Sequence, residues 1–453
     1  MEVCMNLSQI AKILDGELVG LDAGISSFST DTRALAEGDM FIALSGPNFD
    51  ANNFVAIAAE AGATAALVSR VDPSAGIPQV LVPDTFVALG RLAKAWREQF
   101  SLTRVAITGS AGKTTTKEMV ASIFEGMGPT LATLGNKNNE IGVPLTLLRL
   151  SEAHRFGVFE LGANHKGEIA YTSDLVAPHA AVITNVGTAH LEGFGSRRGI
   201  SEAKGEIYGG LESEGIAVIN HDDEFAPYWR ELAHEHSQIE FSLSSPKAVH
   251  ASDVRMGVNH AWAFVLHVGL ESAPVQLQLL GRHNVMNALA AAALAHASHV
   301  PLAAIVRGIE NTRPVAGRLA LRSRGERCVV IDDTYNANPA AVKAAIDVLA
   351  DLPGRRVLVL GDMGELGEAT ESGHKEVGEY ARMKKIDALY TVGQFSNFTA
   401  SGFGQDARAF QEKQLLIEEL EKELEGVVTL LVKGSRSARM EQVVDAIADK
   451  KES

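Results

Sequence analysis

Residues 108–119 read TGSAGKTTTKEM, and this stretch constrains the fold more than any other part of the chain. The preceding RVAIT, residues 104–108, is a short β-branched run that is typical of a buried parallel strand. Apolar side chains then recur at helical spacing, at Met119, Val120, Ile123, Phe124 and Met127. The sequence therefore predicts a loop that joins a strand to a helix, which is the context of a phosphate-binding loop.

The residues of this loop suit a nucleoside triphosphate. Glycines let backbone N–H groups point at phosphates from the positive end of a helix. Lys113 would reach the terminal phosphates, and the Thr114 hydroxyl would hold Mg²⁺. The general phosphate-loop pattern places its first glycine at position 107, where Ile107 stands, so the loop is shortened and an ordinary turn before a helix stays open as an alternative.

Composition limits the class of protein. The chain has 453 residues, enough for several domains at roughly 150 residues each, and a net charge of −15, which disfavours a general nucleic-acid or membrane-surface binder. Cys4 and Cys328 are the only cysteines, too few for a disulfide framework. No stretch approaches the ~20 apolar residues of a membrane span, and the N-terminus lacks the pattern of a signal peptide. We expect a cytoplasmic protein without a nucleic-acid or membrane partner.

Strand and helix patterns alternate along most of the chain and predict an α/β fold of three domains. Residues 1–101 form a small α/β N-terminal domain, and residues 102–313 a central phosphate-loop domain with a mixed, mostly parallel sheet. Residues 263–268 and 275–281 alternate like an antiparallel hairpin within that central domain. Residues 314–453 repeat the strand-to-turn pattern and predict a Rossmann-like C-terminal domain whose turns would carry ligands.

Several polar side chains follow predicted strands and are candidates for chemistry. Glu160 could reach the same Mg²⁺ as Thr114, or it could be a helix-dipole partner or a solvated charge. His190 and Lys204 are uninformative by residue type alone, since most such residues are structural or on the surface. Asn284 and Asn287 share one helix face, where they could bind a ligand or cap the helix.

The motifs taken in order closely resemble those of the Mur ligases. Over nearly the whole chain, the matching segments are TGSAGKT, GNKNNEIGVPLTLLRL, ELGANHKGEI, AHLEGFGS, GRHNVMNALAA, DDTYNANP, GDMGELG and KGSRSARM. That family uses the short form of the loop, which accounts for Ile107. The resemblance implies an ATP-dependent ligase that forms an amide bond through an acyl phosphate, in peptidoglycan precursor synthesis.

The resemblance also implies roles for individual residues around ATP and Mg²⁺. ATP would bind through residues 109–115, with Asn284 and Asn287 on the adenine side, Arg318 on the phosphates and Asp333 on the ribose. One Mg²⁺ would be held by Thr114 and Glu160 and a second by His190, with Lys204 carried as a carbamate. The implied set is Gly109, Ser110, Ala111, Gly112, Lys113, Thr114, Thr115, Asn284, Asn287, Arg318 and Asp333 for ATP, and Lys113, Glu160, His190 and Lys204 for catalysis.

The substrates implied by the resemblance are UDP-N-acetylmuramoyl-tripeptide and D-alanyl-D-alanine, acted on by a monomer. The first domain would bind the UDP-sugar end, and the third domain would close on ATP and the dipeptide. The implied substrate residues are Ser29, Thr30, Asp31, Thr32, Arg33, Gly46, Asp50, Asn136, Asn139, Asn336, Asn338, Lys433 and Arg436.

Two kinds of alternative stay open. One is another enzyme of the superfamily, either the ligase that adds the third peptide residue or folylpolyglutamate synthase. The diaminopimelate-adding ligase would be expected to carry an Asp-Asn-Pro-Arg stretch, and the corresponding region here reads DDTYNANP and GDMGELG. The other alternative is a switch protein that hydrolyses ATP without ligation.

Overall fold

The computed structural model describes residues 5–46, 49–187, 194–257, 260–325, 327–424 and 426–449. Helices and mostly parallel strands alternate in it, as predicted for an α/β fold. Within these ranges no helix is long and apolar enough to cross a bilayer.

The first part of the chain contains a small mixed sheet with the strand order β2-β9-β8-β5-β4. The pairs β4/β5, β5/β8 and β8/β9 are parallel, whereas β2 runs antiparallel to β9. The elements are β1 (Met5–Asn6), α1 (Leu7–Leu14), β2 (Glu17–Val19), β3 (Gly24–Ile25), β4 (Ser27–Ser29), β5 (Asp39–Ile42), β6 (Ser45–Gly46), β7 (Phe49–Asp50), α2 (Val55–Glu60), β8 (Ala65–Val68), β9 (Gln79–Leu81) and α3 (Thr85–Arg97).

The central sheet has the order β11-β12-β10-β13-β14-β15-β16-β17-β18. Its strands are parallel up to β16, and β16, β17 and β18 are antiparallel, which confirms the predicted hairpin in a mixed sheet. The elements are β10 (Thr103–Thr108), α4 (Lys113–Glu125), β11 (Thr130–Ala132), α5 (Gly142–Leu147), β12 (Phe156–Glu160), α6 (Glu168–Val176), β13 (Ala180–Ile183), α7 (Arg197–Gly209), β14 (Ile216–Asn220), α8 (Ala226–Leu232), β15 (Ser237–Ser242), β16 (Val249–Met256), β17 (Ala261–Val268), β18 (Glu271–Leu280), α9 (His283–Ala297) and α10 (Leu302–Asn311).

The last sheet has the order β19-β20-β24-β21-β22-β23, parallel except for β19. Cys328 is buried at the start of β20. The elements are β19 (Ala320–Arg324), β20 (Cys328–Asp333), α11 (Pro339–Ala350), β21 (Arg355–Gly361), α12 (Thr370–Met383), β22 (Ala388–Val392), α13 (Ser396–Phe403), β23 (Ala407–Phe410), α14 (Lys413–Glu423), β24 (Val428–Lys433) and α15 (Glu441–Ile447).

Helix α3 connects the first sheet to the central one. A single apolar core runs from the first sheet through α3 to the helices on one face of the central sheet. Trp96 of α3 is only 2% exposed, and its indole Nε1 donates a hydrogen bond of 3.1 Å to the carbonyl of Leu150. The predicted domain limits at residues 101 and 313 fall between the sheets and stay a prediction.

Candidate active site

The phosphate-binding loop lies between β10 and α4, and its glycines are required by the backbone. Gly109 has φ of 149° and Gly112 has φ of 82°, values that side chains disfavour. A Cβ atom would lie 1.8 Å from Thr184 Oγ1 at Gly109 and 2.3 Å from Asn287 Oδ1 at Gly112. The backbone can therefore approach its neighbours closely only because no side chain is present at these positions.

Residues that follow β13 hold the loop in place. The Ser110 N–H donates to the carbonyl of Asn185 at 2.9 Å, and the Ala111 N–H donates to Asn185 Oδ1 at 3.0 Å. The Thr184 hydroxyl donates to the Ala111 carbonyl at 2.6 Å. Thr184 and Asn185 were missed by the sequence analysis, although their place directly after the strand AAVI was an available signal.

Lys113 is the first residue of α4. Its ammonium donates a hydrogen bond of 2.8 Å to the carbonyl of Gly109, so the side chain folds back over the loop. Burial lowers the pKa of Lys113, Glu160 opposes that shift, and the charge of Arg318 adds to it. Lys113 thus lies within electrostatic range of a carboxylate from β12 and a guanidinium from the third part of the chain.

Glu160 ends β12, which pairs with β10 in the central sheet. The Thr114 hydroxyl donates to Glu160 Oε2 at 2.8 Å, and the Asn138 side-chain amide donates to Oε1 at 2.7 Å. The Glu160 N–H donates to the Thr133 hydroxyl at 3.0 Å. Glu160 is 2% exposed, so the alternative of a solvated surface charge is wrong.

Lys204 lies on α7 and is only 3% exposed, so the alternative of a surface lysine is also wrong. Burial lowers the pKa of Lys204 well below its usual value, and the charge of Lys113 lowers it further. No hydrogen bond joins its amino group to another described residue. The amine is therefore a buried base close to the charged end of Lys113. His190, the remaining predicted catalytic residue, lies outside the described residues.

The asparagines of α9 lie against the loop. Asn284 Nδ2 donates to the carbonyl of Leu280 at 2.7 Å, and Asn287 Nδ2 donates to Asn284 Oδ1 at 2.8 Å. The helix begins at His283 without a side-chain cap, so the capping alternative is wrong. Asn287 instead contacts Gly112, which puts this polar pair beside the phosphate-binding loop.

The third part of the chain contributes charged groups at the carboxyl end of its sheet. The Arg318 guanidinium stacks over the Tyr335 ring at 4.1 Å from the ring centre. Lys433 donates to Asp333 Oδ2 at 2.6 Å, and the Leu319 N–H donates to Asp333 Oδ1 at 3.2 Å. Burial raises the pKa of Asp333, and Lys433 opposes that shift. Both oxygens of the Asp333 carboxylate thus already accept hydrogen bonds from within the protein.

The other candidates of the third part differ in exposure. Asn338 caps α11, because its Oδ1 accepts a hydrogen bond of 2.9 Å from the Ala341 N–H. Asn336 is exposed, and its carbonyl accepts a hydrogen bond of 2.8 Å from Lys433. Arg436 is exposed, and its Nη1 lies 3.3 Å from Glu441 Oε1. These groups border one edge of the sheet, and their roles toward a substrate stay predictions.

The substrate candidates of the first part lie at the end of β4, in the turn that follows it and in the short strands β6 and β7, and most of them are partly buried. Asp31 accepts from Arg33 Nε at 2.9 Å and from Arg33 Nη2 at 2.7 Å, which lowers the pKa of Asp31 to about 2. Lys137 also lowers it, so residues 29–33, which include Ser29, Thr30 and Thr32, lie near the loop of residues 136–139.

The other segments of this group make local contacts. Asp50 Oδ1 accepts from the Ser45 hydroxyl at 2.7 Å beside the exposed Gly46. In the central loop, Asn139 Oδ1 accepts from the Gly142 N–H at 2.9 Å, and Asn136 is exposed.

The site has the donors that a nucleotide and Mg²⁺ require. The Ser110 hydroxyl is buried without a hydrogen-bond partner among the described residues, inside the loop whose N–H groups would meet phosphates. No group of three or more His, Cys, Asp or Glu side chains within the described ranges could hold a metal by itself. Thr114 and Glu160 are oxygen ligands of the kind that Mg²⁺ shares with phosphates, so the arrangement fits a metal that arrives with its nucleotide.

Comparisons with known proteins agree with this geometry. The Mur ligase middle domain matches residues 107–295, and the Mur ligase glutamate ligase domain matches residues 317–449. The UDP-N-acetylmuramoyl-tripeptide–D-alanyl-D-alanine ligase of Escherichia coli is 45% identical over 99% of this chain and 99% of its own. The enzyme of that name in Bacillus subtilis is 35% identical over 93% of this chain and 92% of its own.

Solved structures give the same result. MurF from Acinetobacter baumannii superposes with a TM-score of 0.92 at 39% identity, covering 99% of this chain and 100% of its own. MurF ligase from Thermotoga maritima in complex with ADP superposes with a TM-score of 0.82 at 27% identity, covering 93% of this chain and 96% of its own. Both comparisons cover more than nine-tenths of this chain, and the chain belongs to the Mur ligase family.

Proposed function

We propose that the chain is an ATP-dependent ligase that joins D-alanyl-D-alanine to UDP-N-acetylmuramoyl-tripeptide, in peptidoglycan precursor synthesis. The observation that carries the proposal is the buried Thr114–Glu160 pair beside Lys113 in the phosphate-binding loop. Relatives named for this reaction match the chain along almost its full length.

ATP supplies the phosphoryl group that converts an unreactive substrate carboxylate into a good acyl donor. The N–H groups of residues 109–115 and Lys113 would bind its phosphates, and Arg318 would approach them from the third part of the chain. The effect of Arg318 on Lys113 supports this arrangement: the guanidinium lowers the pKa of Lys113, and an anion bound between the two cations would offset their repulsion. Asn284 and Asn287 would face the adenine, and Asp333 the ribose.

Mg²⁺ would be held by Thr114 and Glu160 together with phosphate oxygens, and it would neutralise charge on the transferred group. His190 would hold a second Mg²⁺. Lys204 would contribute to that second site as a carbamate. Carbon dioxide adds only to a neutral amine, and the burial of Lys204 favours the neutral form by lowering its pKa. A carbamate would exchange a buried base for an anion that a metal can bind.

The UDP-sugar end of the substrate would bind the first domain, residues 1–101, through residues 29–33, Gly46 and Asp50, and the central loop through Asn136 and Asn139. The domain of residues 314–453 would close over the central domain, residues 102–313. Asn336, Asn338, Lys433 and Arg436 would then face the acceptor. Closure would exclude water, which would otherwise hydrolyse the activated carboxyl group.

The proposal includes a monomer working in the cytoplasm, where ATP and UDP-linked substrates are available. The rival superfamily members are disfavoured because the full-length relatives reported above carry the name of the dipeptide-adding enzyme. A switch protein that hydrolyses ATP would have no use for the dipeptide.

Phosphate release from ATP tests the proposal. The protein is assayed with Mg²⁺ and UDP-N-acetylmuramoyl-tripeptide, with and without D-alanyl-D-alanine, and the product is followed by mass spectrometry. We expect release that depends on the dipeptide and a product heavier by that dipeptide less water. Release that responds to a free amino acid instead would favour a rival ligase, and release that ignores every acceptor would contradict ligation.

A further inference from the structure

A buried histidine supports the loop that follows β21. His374 lies on α12 and is 1% exposed. The Met363 N–H donates to His374 Nε2 at 3.0 Å, and His374 Nδ1 lies 2.7 Å from the carbonyl of Thr370. Because an amide N–H only donates and a carbonyl only accepts, the ring is neutral with its proton on Nδ1. Both nitrogens are thus used by the protein, one of them on the loop.

The loop itself, residues 362–367, joins three neighbouring strand ends. The Asp362 carbonyl accepts from the Ser435 N–H at 2.9 Å, next to the end of β24. The Asp362 carboxylate accepts from the N–H groups of Gln394 at 2.8 Å and Phe395 at 3.0 Å, beyond the end of β22. Any shift of this loop would therefore move the edge of the sheet that the proposed acceptor residues border.

The loop also holds a disfavoured backbone conformation. Glu365 has φ of 59°, in the left-handed region that a residue with a side chain seldom occupies. Such a conformation persists only where the surroundings impose it. The Met363 N–H bond to His374 lies two residues before Glu365 and is a buried restraint on this path.

The place of the loop in the sheet separates it from the phosphates. In the order β20-β24-β21, the strand before the loop lies two strands from β20, or about 10 Å from it at the usual strand spacing. Arg318, whose charge reaches Lys113, and Asp333 both lie at the β20 side. The loop after β21 thus lies away from the proposed nucleotide contacts and beside the end of β24, where two of the proposed acceptor residues, Lys433 and Arg436, are found.

We infer that His374 is a positioning residue for D-alanyl-D-alanine: through Met363 it fixes residues 362–367 in the shape that receives the dipeptide. This inference rests on the proposed function. His374 does not touch the reacting atoms. It acts through the backbone of the loop, so its loss should weaken dipeptide binding and leave ATP binding unchanged.

Two substitutions test the roles of the two ring nitrogens of His374 separately. His374→Asn retains a donor near the position of Nδ1 but no acceptor for the Met363 N–H, whereas His374→Gln can place an oxygen near Nε2. His234→Asn is the matched control, because His234 also places Nδ1 2.8 Å from a carbonyl one turn earlier, that of Glu231, but is exposed and lies just after α8, outside the third part of the chain.

We expect His374→Asn to raise the KM for D-alanyl-D-alanine on the order of tenfold, since a buried N–H loses its partner, with the KM for ATP unchanged. His374→Gln should return the KM for D-alanyl-D-alanine most of the way to the wild-type value, and His234→Asn should behave as wild type. Amide hydrogen exchange at Met363, followed by NMR without substrates, should quicken in His374→Asn and return toward wild type in His374→Gln.

Two results would overturn the role of His374: an unchanged KM for the dipeptide in folded His374→Asn, or equal increases for all three substrates in both variants. A wild-type protein whose phosphate release ignores the dipeptide would instead overturn the proposed function. The exchange rate at Met363 is read without turnover, so the two failures are distinguishable.

Discussion

The Thr114 hydroxyl donates a hydrogen bond of 2.8 Å to Oε2 of Glu160, and both side chains are buried. Thr114 lies in the first turn of α4, and Glu160 ends the strand that pairs with the one before the phosphate-binding loop. The pair thus places a carboxylate beside the position that the terminal phosphates would occupy, where a Mg²⁺ ion could join both.

Replacing Glu160 tests this arrangement. Glu160→Gln keeps the shape and the hydrogen bond to Thr114 but removes the charge that a divalent cation requires. We expect turnover to fall by about 100-fold or more, with a higher Mg²⁺ concentration needed for half-maximal rate. Titration of the rate with Mg²⁺ checks this, with Asp174→Asn, an exposed carboxylate on α6, as the control. Equal Mg²⁺ dependence in Glu160→Gln and wild type would contradict the metal role.

Lys113→Ala removes the cation that folds over the loop. We expect turnover to fall on the order of 100- to 1,000-fold, because the transferred phosphoryl group loses a fixed positive partner. Binding of the UDP-linked substrate should change little, since its proposed contacts lie elsewhere. Phosphate release and calorimetric binding measure the two effects, and Lys94→Ala, a partly exposed lysine on α3, is the control. A Lys113→Ala variant with near-normal turnover would rule out this role.

Lys204 should be chemically reactive toward carbon dioxide near neutral pH. Burial and Lys113 lower the pKa of Lys204, so the neutral amine dominates above that lowered value, whereas exposed lysines stay protonated up to a pKa of about 10.4. With ¹³C-bicarbonate, we expect a carbamate resonance that grows as pH rises through the lowered pKa. Lys204→Arg should abolish the signal, and Lys12→Arg, at an exposed position, should retain it. A signal that survives in Lys204→Arg would place the carbamate elsewhere.

Glu212 should stabilise the junction between α3 and β10. It lies 2.6 Å from Arg104 Nη2 and 3.9 Å from Arg97 Nη1, and both arginine side chains are almost fully buried. Burial and the charge of Arg97 lower the pKa of Arg104 to about 10, and the Glu212 carboxylate opposes that shift.

Glu212→Gln would leave these two charges without a carboxylate between them. We expect a loss of about 1–3 kcal/mol in the free energy of unfolding, less than for a fully buried pair because Glu212 is 41% exposed. Urea denaturation measures this, with Glu214→Gln, an exposed neighbour, as the control. If both variants unfold at the same urea concentration as wild type, the carboxylate does not stabilise the junction.

The sequence predicted the local part of the site well. A β-branched run, glycines and a helical repeat around residues 104–127 are enough to predict a phosphate-binding loop, and β10 and α4 confirm it. The same reasoning predicted the mixed central sheet and its hairpin. Strand alternation and turn chemistry are local properties, so the sequence carries them directly.

The sequence left open the choices that depend on neighbours. The capping alternative for Asn284 and Asn287 was settled only by their contacts with each other and with Gly112. Thr184 and Asn185 were missed because their place after the strand AAVI marks them only as candidates, whereas their hydrogen bonds to the loop depend on tertiary packing. The hydrogen bond from Lys433 to Asp333 joins the ends of two strands that are far apart in sequence. It occupies one oxygen of the carboxylate that the family resemblance assigns to the ribose.

The amino-acid sequence by itself thus determined the loop, the order of strands and helices and the family resemblance, since each depends on short patterns. Only the tertiary structure decided which side chains meet. In the order β12-β10-β13, Glu160 and Thr184 lie on either side of the loop, although neither is near it in the chain. Parallel pairing brings the carboxyl ends of distant strands to one edge of the sheet, and the hydrogen bonds formed there are set by that packing rather than by sequence position.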